Sequence, residues 1–221
     1  MKLNKGDFIE IKFTGKIKDT DEIFDSNVEE DIKKSGLNLK SEPFIFALGE
    51  DMFLKGVDEF LIDKDLGEYS VELSPEKAFG KRDSKLINMV PSKVFKEQKL
   101  NPFPGAVFNF DGRMAKVLSV SGGRVMVDFN NPIAGKVVKY NLKVLRKIED
   151  INEKIKSLNN FFFRKDFKFE TKDKKLIINA DKPYIKFIEM FKDKYKEILN
   201  LDLEVREVEI KQETKSETQS Q

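Results

Sequence analysis

The chain has 221 residues, with 41 Lys plus Arg against 39 Asp plus Glu and a formal net charge of +2, so long-range attraction to nucleic acid or an anionic membrane is weak. It contains neither cysteine nor histidine, which excludes disulfides, thiolate nucleophiles, thiolate zinc sites and the usual general base, and with them most hydrolase mechanisms. At 39% hydrophobic and 36% charged residues it reads as a globular, densely charged protein. No window approaches the roughly 18 apolar residues of a membrane span, so a cytoplasmic location is expected.

In chain order, FIEIKFTGKI (residues 8–17) alternates apolar and polar at the period of a half-buried strand. A second strand is expected near Ile23 and Phe24, then a charged surface excursion over 27–42 with one helical turn. EPFIFALGE resumes strand character, Leu54, Val57, Leu61 and Ile62 sit at helical spacing, and GEYSVEL alternates again before the turn-rich SPEKAFG. MVPSKVF reads as extended. GAVFNFDGRMAKVLSVSGGRVMVDF reads as three strands joined by Asp-Gly and Gly-Gly turns, a small β module of its own. KVVKYNLKVLRKI is a long strand returning to the earlier sheet, which makes the module an insertion.

Ile148, Ile151, Ile155, Leu158 and Phe162 then form one helical stripe. DFKFETKDKKLIINA gives two short strands. One helix is expected after Asp181 and Pro183, with Tyr184, Ile188, Phe191, Tyr195 and Ile198 on one side, followed by the strand LDLEVREVEI and a polar tail expected to be disordered.

The first segment places aromatics at element ends: Phe13, Phe24, Phe44, Phe46, Phe53, Phe79 and Tyr140, with Asp25 among them. Ordinary core is one reading of each ring. Their order, however, and the segments FTGKIKDTDEIFDS, PFIFALGEDMFLKGVDEFL, SPEKAFG and KVVKYNLKVL resemble the FKBP-type peptidyl-prolyl isomerases, while MVPSKVF, NPFPG, SVSGGRVMVDFN and NPIAGK resemble their SlyD-like branch. The resemblance covers residues 1–147. It implies an α+β protein: an FKBP-like twisted antiparallel sheet wrapped on a short helix (1–83 plus 131–147), an inserted β-rich flap domain (84–130), and a C-terminal α-β-β-α-β domain (148–211) before the tail at 212–221.

By the same resemblance Asp25, Phe24, Phe79 and Tyr140 are the catalytic set, and Phe13, Phe44, Phe53, Leu54, Val57 and Ile133 bind substrate. Three features depart from the family's frequent pattern: Phe13 and Phe79 stand where tyrosine is common, Val57 where some members have tryptophan, and Asn131 where histidine is frequent. No cofactor or metal is implied. The chemistry needs none: rotation about X-Pro breaks amide resonance against a barrier of roughly 18–20 kcal/mol, and a dry apolar pocket favours the less dipolar, half-rotated form. Asp25 has two readings, a carboxylate satisfied by local donors or a group that orients the substrate and polarises the twisting bond.

In the insertion, Met89, Val90, Val94, Phe95, Phe103 and Phe108 are either its core or a surface that holds unfolded chains. In the C-terminal region FFFRKDFKFE mixes aromatics and basics, yet residues 148–221 carry 16 acidic and 16 basic side chains and lack the glycines of an RNA-recognition motif, so nucleic acid is not an expected partner. A dimerisation or client-holding domain is expected instead, a homodimer through this region being one of the two readings, and the partners are unfolded polypeptides containing X-Pro bonds. The runner-up is a holdase whose pocket no longer turns over.

Overall fold

The computed structural model describes residues 2–208; the expected disordered tail at 212–221 lies outside them. Five strands form the first sheet: β1 (Phe8–Ile17), β2 (Ile23–Ser26), β3 (Phe44–Ala47), β4 (Gly67–Leu73) and, after a long excursion, β9 (Val138–Lys147). They run in the order β2-β1-β9-β4, with β3 pairing on the same strand β1, and all pairings are antiparallel. Alternation in β1 buries Ile9, Ile11 and Phe13, and Phe8 at the strand's start is buried as well. Helix α2 (Lys55–Leu61) packs Val57 and Leu61 onto the sheet, while α1 (Glu29–Ser35) occupies the charged excursion.

The second sheet, β5 (Ile87–Pro91), β6 (Val107–Phe110), β7 (Arg113–Ser121) and β8 (Arg124–Asp128), has the order β5-β8-β7-β6 and its own small core. Its neck is a short polar joint: Arg82 Nε donates to Asp128 at 2.9 Å and the Asp83 N–H donates to Asn130 Oδ1 at 2.8 Å. One expectation is corrected here. Residues 92–97 are not extended but form helix α3 (Ser92–Glu97), which turns the Phe95 ring inward to within 5.5 Å of Phe108 and 5.6 Å of Phe110. A two-residue apolar pair was too short a run to separate the two periods.

Helix α4 (Ile151–Phe163) follows, with β10 (Phe169–Lys172), β11 (Lys175–Ala180), α5 (Lys182–Glu189), α6 (Lys192–Leu199) and β12 (Asp202–Glu207). The third sheet is β10-β11-β12, and β12 runs parallel to β11 because the helical crossover returns the chain to the same end. The single helix expected after Asp181 is broken at Met190 and Phe191. There Phe191 leaves the helical path and its ring lies 4.6 Å from that of Phe162, an interaction no local sequence signal announces.

Helix α4 joins the first and third sheets. The Ile148 N–H donates to the Phe8 carbonyl at 2.8 Å, Ser157 Oγ donates to the Ile45 carbonyl at 2.6 Å, and Ile155 and Leu158 are fully buried in a core that continues from Phe8 and Phe46 to Ile178 and Tyr195. The helix thereby covers the outer edge of β3, where unpaired backbone groups would otherwise face water.

Candidate active site

The centre of the site is Gly15. In register, it faces Asp25 on β2 and Tyr140 on β9, so the three residues share one face of the sheet. Its missing side chain is required: a Cβ there would lie 2.8 Å from Tyr140 Cζ and 2.9 Å from Phe24 Cζ. The β1–β2 register slips at this point, Gly15 pairing with Asp25 but Lys16 with Ile23, which leaves Phe24 as the extra residue of a bulge. Strict alternation would send Phe24 and Asp25 to opposite faces. The bulge instead brings the Phe24 ring to 5.8 Å from Tyr140 and 5.4 Å from Phe79.

Around this point the rings interlock. Phe13 lies 5.4 Å from Phe44, 5.1 Å from Phe53 and 6.1 Å from Tyr140, and Phe53 meets Tyr140 edge-on at 5.6 Å. Phe24, Phe44, Phe53, Leu54, Phe79 and Ile133 are half-buried, whereas Val57 and Tyr140 are fully buried beneath them. Val57 is therefore core packing beneath the rings.

Asn27 holds the wall in place. On one edge of β1 the partner changes from β2 to β3, leaving a break in the ladder. The Phe13 N–H donates to Asn27 Oδ1 at 2.7 Å, and Asn27 Nδ2 donates to the Ile11 carbonyl at 2.9 Å, so a side-chain amide stands in for the absent strand. Thr14 extends this support, donating to Asp31 Oδ2 at 2.6 Å and bonding Ser26 Oγ at 3.0 Å. Neither Gly15 nor Asn27 was singled out from the sequence; the Asn that follows Asp-Ser after the second Phe was its only local trace.

A cleft of about 920 Å³ opens beside the rings, lined by Phe13, Asp25, Phe44 and Phe53 from the first sheet and its loops, and by α4 on the far wall. Phe24, Leu54, Val57, Phe79, Ile133 and Tyr140 do not line this cleft, although they belong to the same apolar cluster. Burial raises the Asp25 carboxyl above its usual range, and the Ser26 N–H only partly offsets this. Burial likewise raises the Tyr140 phenol, with the neighbouring Asp25 charge adding to the shift. The Tyr140 hydroxyl has no hydrogen-bond partner among the described residues.

The insertion residues are spread differently from the expectation. Met89 and Phe103 are 55% and 59% exposed, but Phe95 is fully buried at the core of the second sheet, with Val90 and Phe108 packed on it. Phe95 is thus no part of a surface, because α3 turns it inward. Val107 and Met114, 53% and 58% exposed, were not among the expected residues and lie on the outer side.

The pattern of the FKBP-type peptidyl-prolyl cis-trans isomerases matches residues 1–97, and that described as FKBP26, IF domain, matches residues 88–133. A short-type peptidyl-prolyl cis-trans isomerase of Methanocaldococcus jannaschii is 30% identical over 146 residues, spanning 64% of this chain and 92% of that protein. The chain belongs to the FKBP-type peptidyl-prolyl cis-trans isomerase family. Within the family it is similar to the FKBP-type isomerase SlyD of Helicobacter pylori, at 29% identity over 53% of this chain and 66% of that one. It is also similar to the FKBP-type 16 kDa isomerase of Escherichia coli, at 31% identity over 47% and 73%. The two matched patterns together span residues 1–133, and the third sheet and its helices lie beyond them. Among the described residues no helix is long and apolar enough to cross a membrane.

Proposed function

We propose that this FKBP-type isomerase accelerates cis-trans rotation about X-Pro bonds in unfolded polypeptides, with the prolyl ring seated among Phe24, Phe53, Leu54, Phe79 and Ile133 above the floor of Val57 and Tyr140. The observation that carries the reading is Asp25, a desolvated carboxylate held between aromatic walls by a bulge at Gly15. Its burial raises the cost of the charge, the Ser26 N–H offsets this only in part, and no cation offsets it among the described residues. In this position the carboxylate orients the substrate and polarises the twisting imide, while the rings exclude water and favour the half-rotated bond. Phe13 and Phe79 lack hydroxyls, and the Tyr140 hydroxyl, buried beneath the rings, acts on the site through the neighbouring Asp25 rather than as a donor to substrate.

The second sheet holds unfolded chains, a role supported by the exposed apolar side chains of Met89, Phe103, Val107 and Met114. The decisive experiment is proline-limited refolding with substoichiometric protein. Many turnovers per molecule support the enzyme, and refolding slowed only in proportion to bound client supports a holdase. Asp25→Ala should lower kcat/KM on an X-Pro peptide by about tenfold to a hundredfold while Tm holds. Equal loss of both would make the carboxylate structural.

A further inference from the structure

Helix α4 places Lys156 and Asn160, with Arg164 following as its left-handed C-cap, on the wall of the cleft whose other side carries Phe13, Asp25, Phe44 and Phe53. Four residues apart, Lys156 and Asn160 share one helical face, roughly 6 Å apart along the axis. All three are exposed, and among the described residues none of these side chains has a hydrogen-bond or ion-pair partner. Their neighbours on the helix are committed elsewhere: Glu153 bonds Arg146, Ser157 bonds the Ile45 carbonyl, and Lys165 lies 3.9 Å from Asp181.

An extended polypeptide presents carbonyls on one side at every second residue, roughly 6.6 Å apart. Two free donors at nearly the same spacing, Lys156 and Asn160, along a cleft of about 920 Å³ that begins at Asp25, fit such a chain far better than a lone prolyl ring. We infer that α4 forms an extended subsite that takes the main chain flanking the X-Pro bond, on the side that leaves the pocket past Phe44. Recognition through carbonyls makes this subsite indifferent to client side chains. The third region of the protein then belongs to the substrate site, anchored there by the Ser157 hydrogen bond to β3.

This inference rests on the isomerase reading, and the test separates the two. Full-length protein is assayed on a tetrapeptide containing X-Pro and on the same sequence lengthened by six residues on each side in turn. The ratio of kcat/KM, long over short, should reach about ten or more for one direction of extension. In the Lys156→Ala/Asn160→Ala double variant that ratio should fall about tenfold, the worth of two exposed hydrogen bonds. Asn160→Asp, which keeps the size but exchanges a donor for an acceptor, should lower it as well and serves if the double variant proves unstable. A ratio unchanged in both variants overturns the subsite. No turnover of either peptide by the unmodified chain overturns the isomerase reading, and the subsite with it.

Discussion

Substituting Gly15 by alanine tests whether ring packing at the sheet crossing shapes the pocket. The added methyl would sit 2.8 Å from Tyr140 Cζ and 2.9 Å from Phe24 Cζ, where ordinary contact begins near 3.4 Å, so both rings must retreat by several tenths of an ångström. Tyr140 is pinned in β9 and fully buried, which leaves Phe24 and the β2 bulge to move. Overpacking of this kind costs about 1–3 kcal/mol, partly offset by the roughly 0.5–1 kcal/mol that alanine gains over glycine within a strand. The net loss of about 1–2 kcal/mol lowers Tm by about 2–8 °C in a chain of this size. Because Asp25 adjoins the displaced Phe24, kcat/KM on an X-Pro peptide should fall by roughly tenfold to a hundredfold, more than the stability change alone explains. Differential scanning fluorimetry and a coupled peptide assay read the two effects. The second variant, Gly15→Ala/Phe24→Leu, removes one clash and should recover most of the lost stability without recovering activity. If Gly15→Ala keeps both Tm and kcat/KM, the crossing does not shape the site and the argument from register fails.

Tyr140→Phe deletes a buried hydroxyl that has no partner, so it should raise stability by about 1 kcal/mol, or roughly 2–4 °C in Tm, while lowering kcat/KM severalfold. A gain in Tm with unchanged turnover would strip the hydroxyl of any catalytic part. Asp58 gives a pH test. Burial pushes its carboxyl up to about 6, so the folded state takes up a proton that the unfolded chain binds only near 3.8, and stability contributed through this residue rises as pH falls from about 7 toward 4. Asp58→Asn should remove that component, so thermal melts of the two proteins plotted against pH should converge on acidification; parallel curves would refute it. Phe103→Ser/Met114→Ser alters two exposed side chains of the second sheet and should weaken suppression of client aggregation while peptide turnover stays within twofold. Aggregation suppressed as well as before would remove the holding role from this face.

Strong periodicity over long segments was legible. The alternation of residues 8–17 and 138–147 corresponds to β1 and β9, and the Gly122–Gly123 pair, both at positive φ, makes the turn between β7 and β8. What escaped the sequence is non-local. The helical turn that buries Phe95 is set by the rings of Phe108 and Phe110, and the break at Phe191 by its contact with Phe162. Asn27 looks like any loop asparagine until β1 is seen to change partners beside it. Gly15 looks like a generic strand glycine until β2 and β9 are both laid against it, because only the register brings Asp25 and Tyr140 together.

On the proposed reading, that construction is how a chain without histidine or cysteine makes a catalytic site. A mechanism that transfers no proton needs walls of fixed shape rather than a titrating group, and fixed shape must come from the backbone around it. Here the walls belong to strands and loops from distant parts of the sequence, joined at Gly15, and the ladder break beside them is closed by the amide of Asn27 at 2.7 and 2.9 Å instead of by mobile water. On the other side, α4 binds the edge strand β3 and continues the same core into the third sheet. Loosening that attachment would let Phe44 move, and with it the rings of Phe13 and Phe53 at 5.4 and 5.0 Å. The third region is therefore coupled to the pocket through packing, whether or not a client chain lies along its helix.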